Sequence, residues 1–229
     1  MGLEILYEDN HLIAVNKKSS DLVQGDKTGD TPLSEIVKDY IKVKYNKPGD
    51  VYLGVAHRID RPTSGVVVFA KTSKALTRLN KMFQEKKVQK TYWAVTKNNP
   101  PKITDTLTHW LKRNTKQNKS YANPKQTKES KESSLTYTIV GKGDNYNFLE
   151  IKPHTGRHHQ IRTQLCFIDC PIKGDLKYGA KRSNKNASIH LHAREIEFIH
   201  PVKKEPLIIT ANPDLKDALW RDFLKLAEN

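Results

Sequence analysis

The chain has 229 residues, of which 40 are Lys or Arg and 25 Asp or Glu, for a formal net charge of +15 and a pI near 9.6. With 36% apolar residues it is long enough to bury a real core, as one substantial domain or two small ones, and its charge is that of a protein that meets a polyanion, nucleic acid first. Apolar runs such as Val66 to Ala70 fall far short of the roughly 20 residues a spanning helix needs, which argues against a membrane protein.

The N-terminus, MGLEILYEDNHLIAVNKK, lacks the basic start, long apolar core and small-residue cleavage site of a secretory signal, so the cytoplasm is the expected location. LEILY and HLIAVN flank Glu8-Asp9-Asn10 and predict an opening hairpin. A helix follows, with Thr31 as cap and Pro32 at the first helical position, since Leu33, Ile36, Val37, Tyr40 and Ile41 recur at helical spacing. GVVVFAK reads as a strand buried on both faces. From Ser73, with Thr72 or Ser73 as cap, the residues Ala75, Leu76, Leu79, Met82 and Phe83 predict a helix ending near Lys87, and VQKTYWAV predicts a strand.

Residues 112–132 hold seven basic and two acidic side chains and almost nothing apolar, which reads as a mobile surface loop. SLTYTIVGK and YNFLEIKP predict a hairpin around Gly143, Asp144 and Asn145. HTGRHHQIRTQLCFI reads as a Gly-led turn opening a helix. LHAREIEF and EPLIITA are the last strand candidates, and Asn212-Pro213 is expected to start a terminal helix with Leu215, Ala218, Leu219, Phe223 and Leu226 on one face. Hairpins mixed with helices favour an α+β fold with a largely antiparallel sheet over a doubly wound one. The two cysteines, Cys166 and Cys170, have neither disulfide-framework nor zinc-site spacing and read as buried reduced thiols.

The chemistry centres on HRIDRPTSG, residues 57–65. Asp60 lies between Arg58 and Arg61, whose positive charges favour an ionised carboxylate, suited to a nucleophile or base and unsuited to a proton donor. Pro62 restricts Arg61, and Gly65 permits a sharp exit into the following strand. Taken alone, the loop fits better an Asx-type turn in which Asp60 accepts from the backbone of Thr63 and Ser64.

GVAHRIDRPTSGVVVFAKT, KTYWAV, IKPHTGRHHQIRTQL, PIKGDLKYG and LHA, in that order, resemble the RluA-type family of RNA pseudouridine synthases from the opening hairpin to about Pro201. The pairing of HRIDxxTSG with TGRxHQIR is specific where each alone is weak. The resemblance implies a pseudouridine synthase fold over 1–229 as a single catalytic domain, without the N-terminal S4-like RNA-binding module that some members carry. It also implies that a uridine in ribosomal or transfer RNA has its glycosidic C–N bond broken, its base turned, and a C–C bond made from C5 to the sugar. No metal or other cofactor is implied, nor any obligatory protein partner, and a monomer is the simplest expectation.

By the same resemblance Asp60 is the catalytic carboxylate, adding to the nucleoside or abstracting a sugar proton. Tyr92 is the active-site tyrosine, stacking on the base. Arg162 is the partner of Asp60. Arg58 enters near the extruded nucleotide, and Leu191 walls the uracil pocket. Ile161, Leu165 and Ile168 give the HQIR helix its buried stripe. Ile161 thereby adjoins the substrate, and His158 and His159, expected on that helix beside Arg162, contact phosphate or pack. Two departures stand out: NKKSSDLVQ stands where the family usually carries a Lys-Pro pair followed by a small residue and Gly, and Thr-Gln-Leu follows QIR where histidine is common. Two other functions fit parts of the pattern. One is a non-catalytic RNA-binding or ribosome-assembly factor; the other is an N-glycosidase pairing Asp60 with Asp175, although Asp175 also reads as a plain turn residue.

Overall fold

A computed structural model describes residues 2–25 and 29–227. In chain order the strands and helices are β1 (Ile5–Glu8), β2 (Leu12–Lys17), α1 (Leu33–Lys44), β3 (Gly54–Val55), β4 (Ser64–Ala70), α2 (Ser73–Gln84), β5 (Gln89–Thr96), β6 (Thr104–Asn114), β7 (Lys119–Asn123), β8 (Lys131–Lys142), β9 (Asn147–Pro153), α3 (Gln160–Phe167), β10 (Leu191–Ile199), β11 (Pro206–Thr210) and α4 (Ala218–Ala227). The α+β class holds, and β1–β2, β2–β4, β3–β4, β5–β9, β6–β7, β6–β8, β8–β9 and β10–β11 all pair antiparallel. No helix among the described residues is long and apolar enough to cross a membrane.

The chain forms two compact units, one of residues 1–88 with 193–212 and one of residues 89–192 with 213–229. In the first, the strand order is β1-β2-β4-β10, with β3 on β4 and β11 on β10. Leu12, Ala14, Val66, Val68 and Ala70 meet Ala75 and Leu79 of α2 and Ile196 and Phe198 of β10 in one apolar cluster. The opening turn is made by Asp9, whose carboxylate accepts from the backbone N–H of His11 and Leu12, both at 2.8 Å. Thr72 caps α2 by accepting from Ala75 N–H. That helix stops at Gln84, three residues before the expected end, because Lys86 turns left-handed at φ 57°. The α1 expectation needs a larger correction: Pro32 is the extended residue before the helix, with no side-chain cap, and Ile36 is 40% exposed, leaving Leu33, Val37 and Ile41 as the buried stripe.

Glu8 ties α1 to this sheet. Its carboxylate accepts from Lys44 Nζ at 2.6 Å, Tyr45 Oη and Lys71 Nζ at 2.8 Å, and Tyr40 Oη at 3.1 Å. Burial pushes the carboxyl up, but these donors outweigh it and hold it down at about 2. A depressed carboxylate contributes stability that is present above its unfolded value and lost as pH falls through the folded one. Glu8→Gln is therefore expected to cost about 2 kcal/mol at neutral pH and nothing near pH 2, so wild-type and variant melting temperatures should converge on acidification between about pH 4.5 and pH 2.

In the second unit the strand order is β5-β9-β8-β6-β7. Alternation along β5 sends Tyr92 and Ala94 to the face holding Leu135, Ile151, Ile161, Leu165 and Leu191. Trp93 and Val95 go to the other face, with Phe148, Trp220 and Phe223. Trp93 stacks on Phe223 at 4.4 Å between ring centroids. The terminal helix begins only at Ala218, because Asp214 and Asp217 close turns ahead of it: Asp214 accepts from Lys216 N–H and Asp217 from Leu219 N–H. Its buried residues are Trp220 and Phe223, while Leu215 and Leu226 are about 40% exposed.

Residues 112–132, expected as a mobile loop, are about half sheet. The end of β6 folds back on β7 in register, Trp110 opposite Asn123 and Asn114 opposite Lys119, and β8 begins at Lys131. An edge ribbon of this kind carries lysines on its exposed positions and few apolar residues, which is the composition of a loop.

Candidate active site

The Asp60 loop is held in the first unit by contacts from three directions. His57, ahead of it, accepts at Nε2 from Val68 N–H of β4 at 3.0 Å and packs its ring against Phe83. Lys17, fully buried at the end of β2, donates from Nζ to the carbonyls of Lys18 at 2.8 Å and Arg61 at 3.1 Å. Burial pushes this ammonium down to about 8, opposed by the Asp21 and Asp60 carboxylates and assisted by Arg61. Ser20 N–H donates to the same Arg61 carbonyl. Gly65 leaves the loop at φ 117°, and a methyl group there would collide with the backbone of Ala193 in β10, so only glycine fits.

Asp60 itself is half-buried, and its carbonyl accepts from Thr63 N–H at 3.0 Å, closing a tight turn. The guanidinium of Arg61 pairs with Asp30 at 2.6 Å, so the partner of Arg61 is a distant aspartate rather than its neighbour. Arg58 is exposed and makes no side-chain hydrogen bond or ion pair among the described residues.

The second unit gathers Tyr92, Ile161 and Leu191 into one apolar cluster on the α3 face of the sheet. Tyr92 is half-buried opposite Ile151, and Leu191 is 3% exposed. In α3, Gln160 through Leu165 are all buried, and the polar side chains among them bind strands or turns. Gln160 accepts from Thr155 Oγ1 and Arg157 N–H and donates to the Ser134 carbonyl. Thr163 donates to the Ser120 carbonyl, and Gln164 Nε2 to those of Leu107 and Ser133. The HQIRTQ pattern thus carries α3's attachment to β6, β7 and β8 as well as its candidate chemistry.

Arg162, 4% exposed, makes a bidentate pair with Asp175, which is 1% exposed: Nε to Oδ2 at 2.7 Å and Nη2 to Oδ1 at 2.8 Å. Such a fork fixes the plane of the guanidinium. The ring of Tyr178 stacks near it, 5.0 Å from Cζ to the ring centroid. Tyr178 Oη accepts from Ser120 N–H at 2.8 Å and lies 2.9 Å from His159 Nδ1. Burial, with Arg162 and His158 next, pushes His159 down to about 2, so its imidazole is neutral where it shares a hydrogen bond with the phenol.

His158 and His159 precede the helix rather than stand on it, because His159 is a left-handed N-cap at φ 53°. Their rings stack at 3.7 Å, and His158 bridges Ser120 Oγ at 2.9 Å and Asn118 Oδ1 at 3.1 Å. Asp175, which the glycosidase reading would need as its second carboxylate, is instead a buried counter-ion to Arg162 as well as a turn residue, its carbonyl accepting from Tyr178 N–H. Both cysteines are free thiols, Cys170 buried and Cys166 partly so.

Sequence reasoning assigned no role to Lys17, His57, Ser120 or Tyr178. A lysine at the end of a buried apolar strand was a usable signal for Lys17; the other three act through contacts distant in sequence.

Solved structures share this fold. Human RNA pseudouridylate synthase domain containing 4 superposes with a TM-score of 0.81 at 21% identity, over 98% of this chain and 93% of that one. Human RNA pseudouridylate synthase domain containing 1 gives 0.72 at 24%, over 93% and 84%. These two define a pseudouridylate synthase fold. A family model described as RNA pseudouridylate synthase matches residues 11–166, a span that includes Asp60, Tyr92 and Arg162.

Among curated relatives, the ribosomal large subunit pseudouridine synthase C of Buchnera aphidicola is 34% identical over 92% of this chain and 67% of its own. The tRNA pseudouridine synthase C of Vibrio parahaemolyticus is 32% identical over 93% and 91%, and its namesake from Pectobacterium carotovorum 32% over 96% and 60%. The chain belongs to the RNA pseudouridylate synthase family, and is an isomerase of RNA uridine.

Proposed function

We propose that this protein converts a uridine of ribosomal or transfer RNA to pseudouridine, with Asp60 as the reacting carboxylate, and that residues 1–229 act as one catalytic domain. The observation that carries the reading is the fixation of Asp60: Lys17, His57 and Gly65, none of which is assigned a contact with substrate, all hold the short turn that presents one half-buried carboxylate. Preorganisation of this kind is what a group needs when it must meet a reacting atom in one geometry. Tyr92 stacks on the extruded uracil against Ile161 and Leu191, a contact worth roughly 1–3 kcal/mol per base. Arg162, its plane fixed by Asp175, serves Asp60 as the cationic partner, and exposed Arg58 fills the space the uridine leaves.

The substrate classes follow the relatives, whose names divide between ribosomal and transfer RNA. The enzyme works in the cytoplasm as a monomer, without cofactor or protein partner. The test uses RNA carrying tritium at uracil C5. Pseudouridine formation replaces the C5 hydrogen and liberates tritium to water with no free base; release of free uracil would instead establish an N-glycosidase, and release of neither would leave an RNA-binding protein.

A further inference from the structure

A cavity of about 240 Å³ opens in the second unit between the β6–β7 ribbon, the start of β8 and the turn before α3, and Arg113, Ser120, Glu129, Lys131, Arg157 and His158 are among its lining residues. Arg113, Lys131 and Arg157 are exposed or half-exposed, and among the described residues none has a carboxylate partner. The nearest polar contacts are neutral: Arg113 reaches Asn118 Oδ1 at 3.4 Å and Arg157 the Glu132 carbonyl at 3.5 Å. Glu129 is paired with Lys112 at 3.2 Å, so its charge is already offset. Three unpaired cations around one hollow repel one another until an anion enters.

The inner wall of the hollow leads to the candidate active site. Ser120 binds His158 through Oγ and Tyr178 through its N–H, and the Tyr178 ring lies against the guanidinium of Arg162. We infer that this hollow is a binding site for an RNA phosphodiester that flanks the target uridine, an inference that rests on the RNA-modifying reading above. Arg113, Lys131 and Arg157 hold the phosphate, and His158, locked between Ser120 and Asn118, forms its floor. The occupant is backbone rather than base, because unpaired cations line the hollow while its one aliphatic wall is Leu111.

The test compares the wild type, an Arg113→Ala/Lys131→Ala double variant and a charge-matched Lys81→Ala/Lys87→Ala control whose two lysines lie exposed on the other unit. Binding to transfer-RNA and ribosomal-RNA fractions is measured across about 50–200 mM salt, and pseudouridine formation is followed on the fraction that is a substrate. The double variant should lower the slope of log affinity against log salt by about 0.7–0.9, the figure for one lost phosphate contact, and raise KM about tenfold, with kcat at saturating RNA unchanged; the control should change little. Equal effects in both variants, or none in either, would overturn the inference while leaving catalysis established. If the wild type made no pseudouridine, the functional reading would fail, and the binding slopes, which need no turnover, would still decide the site.

Discussion

Asp60→Asn is expected to lose pseudouridine formation by a factor on the order of 10⁴ or more, with RNA affinity and salt dependence preserved and the melting temperature within a few degrees of wild type. Asparagine keeps the size of the side chain and can stay in the turn closed by Thr63 N–H. It cannot carry the negative charge that both routes, addition to the nucleoside or removal of a sugar proton, require. Parallel assays of tritium release and RNA binding make the result specific. A folded Asp60→Asn protein that binds RNA and still turns over at more than about a hundredth of the wild-type rate would remove Asp60 from the chemistry.

The second large effect concerns the Arg162–Asp175 pair. Asp175→Ala takes from the buried Arg162 guanidinium the carboxylate that accepts both bonds of its fork, and should cost about 3 kcal/mol and lower the melting temperature by roughly 10 °C. Replacing both partners with apolar residues, Arg162→Met with Asp175→Leu, should recover most of that loss, because neither ion of this pair then remains buried. Activity should not recover, if Arg162 serves Asp60 in the reaction. Restored stability with restored turnover would show that Arg162 is structural only, so calorimetry and turnover on the double variant together separate the two roles.

The elements legible in sequence were those whose pattern is local. β-Branched runs marked β2 and β4, alternation marked β5, and the Thr72 cap marked α2. The β6–β7 ribbon was illegible because its stability comes from register with β8 and from the contacts of Ser120, while its exposed lysines imitate a solvated loop. The start of α4 was misplaced because Asp214 and Asp217 redirect a backbone that apolar periodicity alone would have continued. The family resemblance singled out Asp60, Tyr92 and Arg162 in the sequence but not what holds them. Lys17 and Asp175 are a strand-end lysine and a turn aspartate until the fold buries them, one fully and the other to 1% exposure.

The +15 charge gains a location from the same comparison. Seven basic residues of the 112–132 segment sit on or beside an ordered ribbon whose base contacts Tyr178 and, through it, Arg162. A solvated linker would contribute its charge diffusely; a strand-borne cluster holds cations at fixed spacing, which suits repeated phosphates along a chain. Extruding a stacked uridine costs a few kcal/mol, and contacts of this kind, with base stacking on Tyr92, are what offset it.

The most direct test of the central claim is pseudouridine mapping of total RNA from cells with the intact gene, without it, and without it but supplied with the Asp60→Ala protein. The account predicts one or more uridines of ribosomal or transfer RNA that are modified only in the first. If every pseudouridine persisted without the gene, or if the Asp60→Ala protein restored the missing ones, the claim that this chain isomerises uridine through Asp60 would be contradicted.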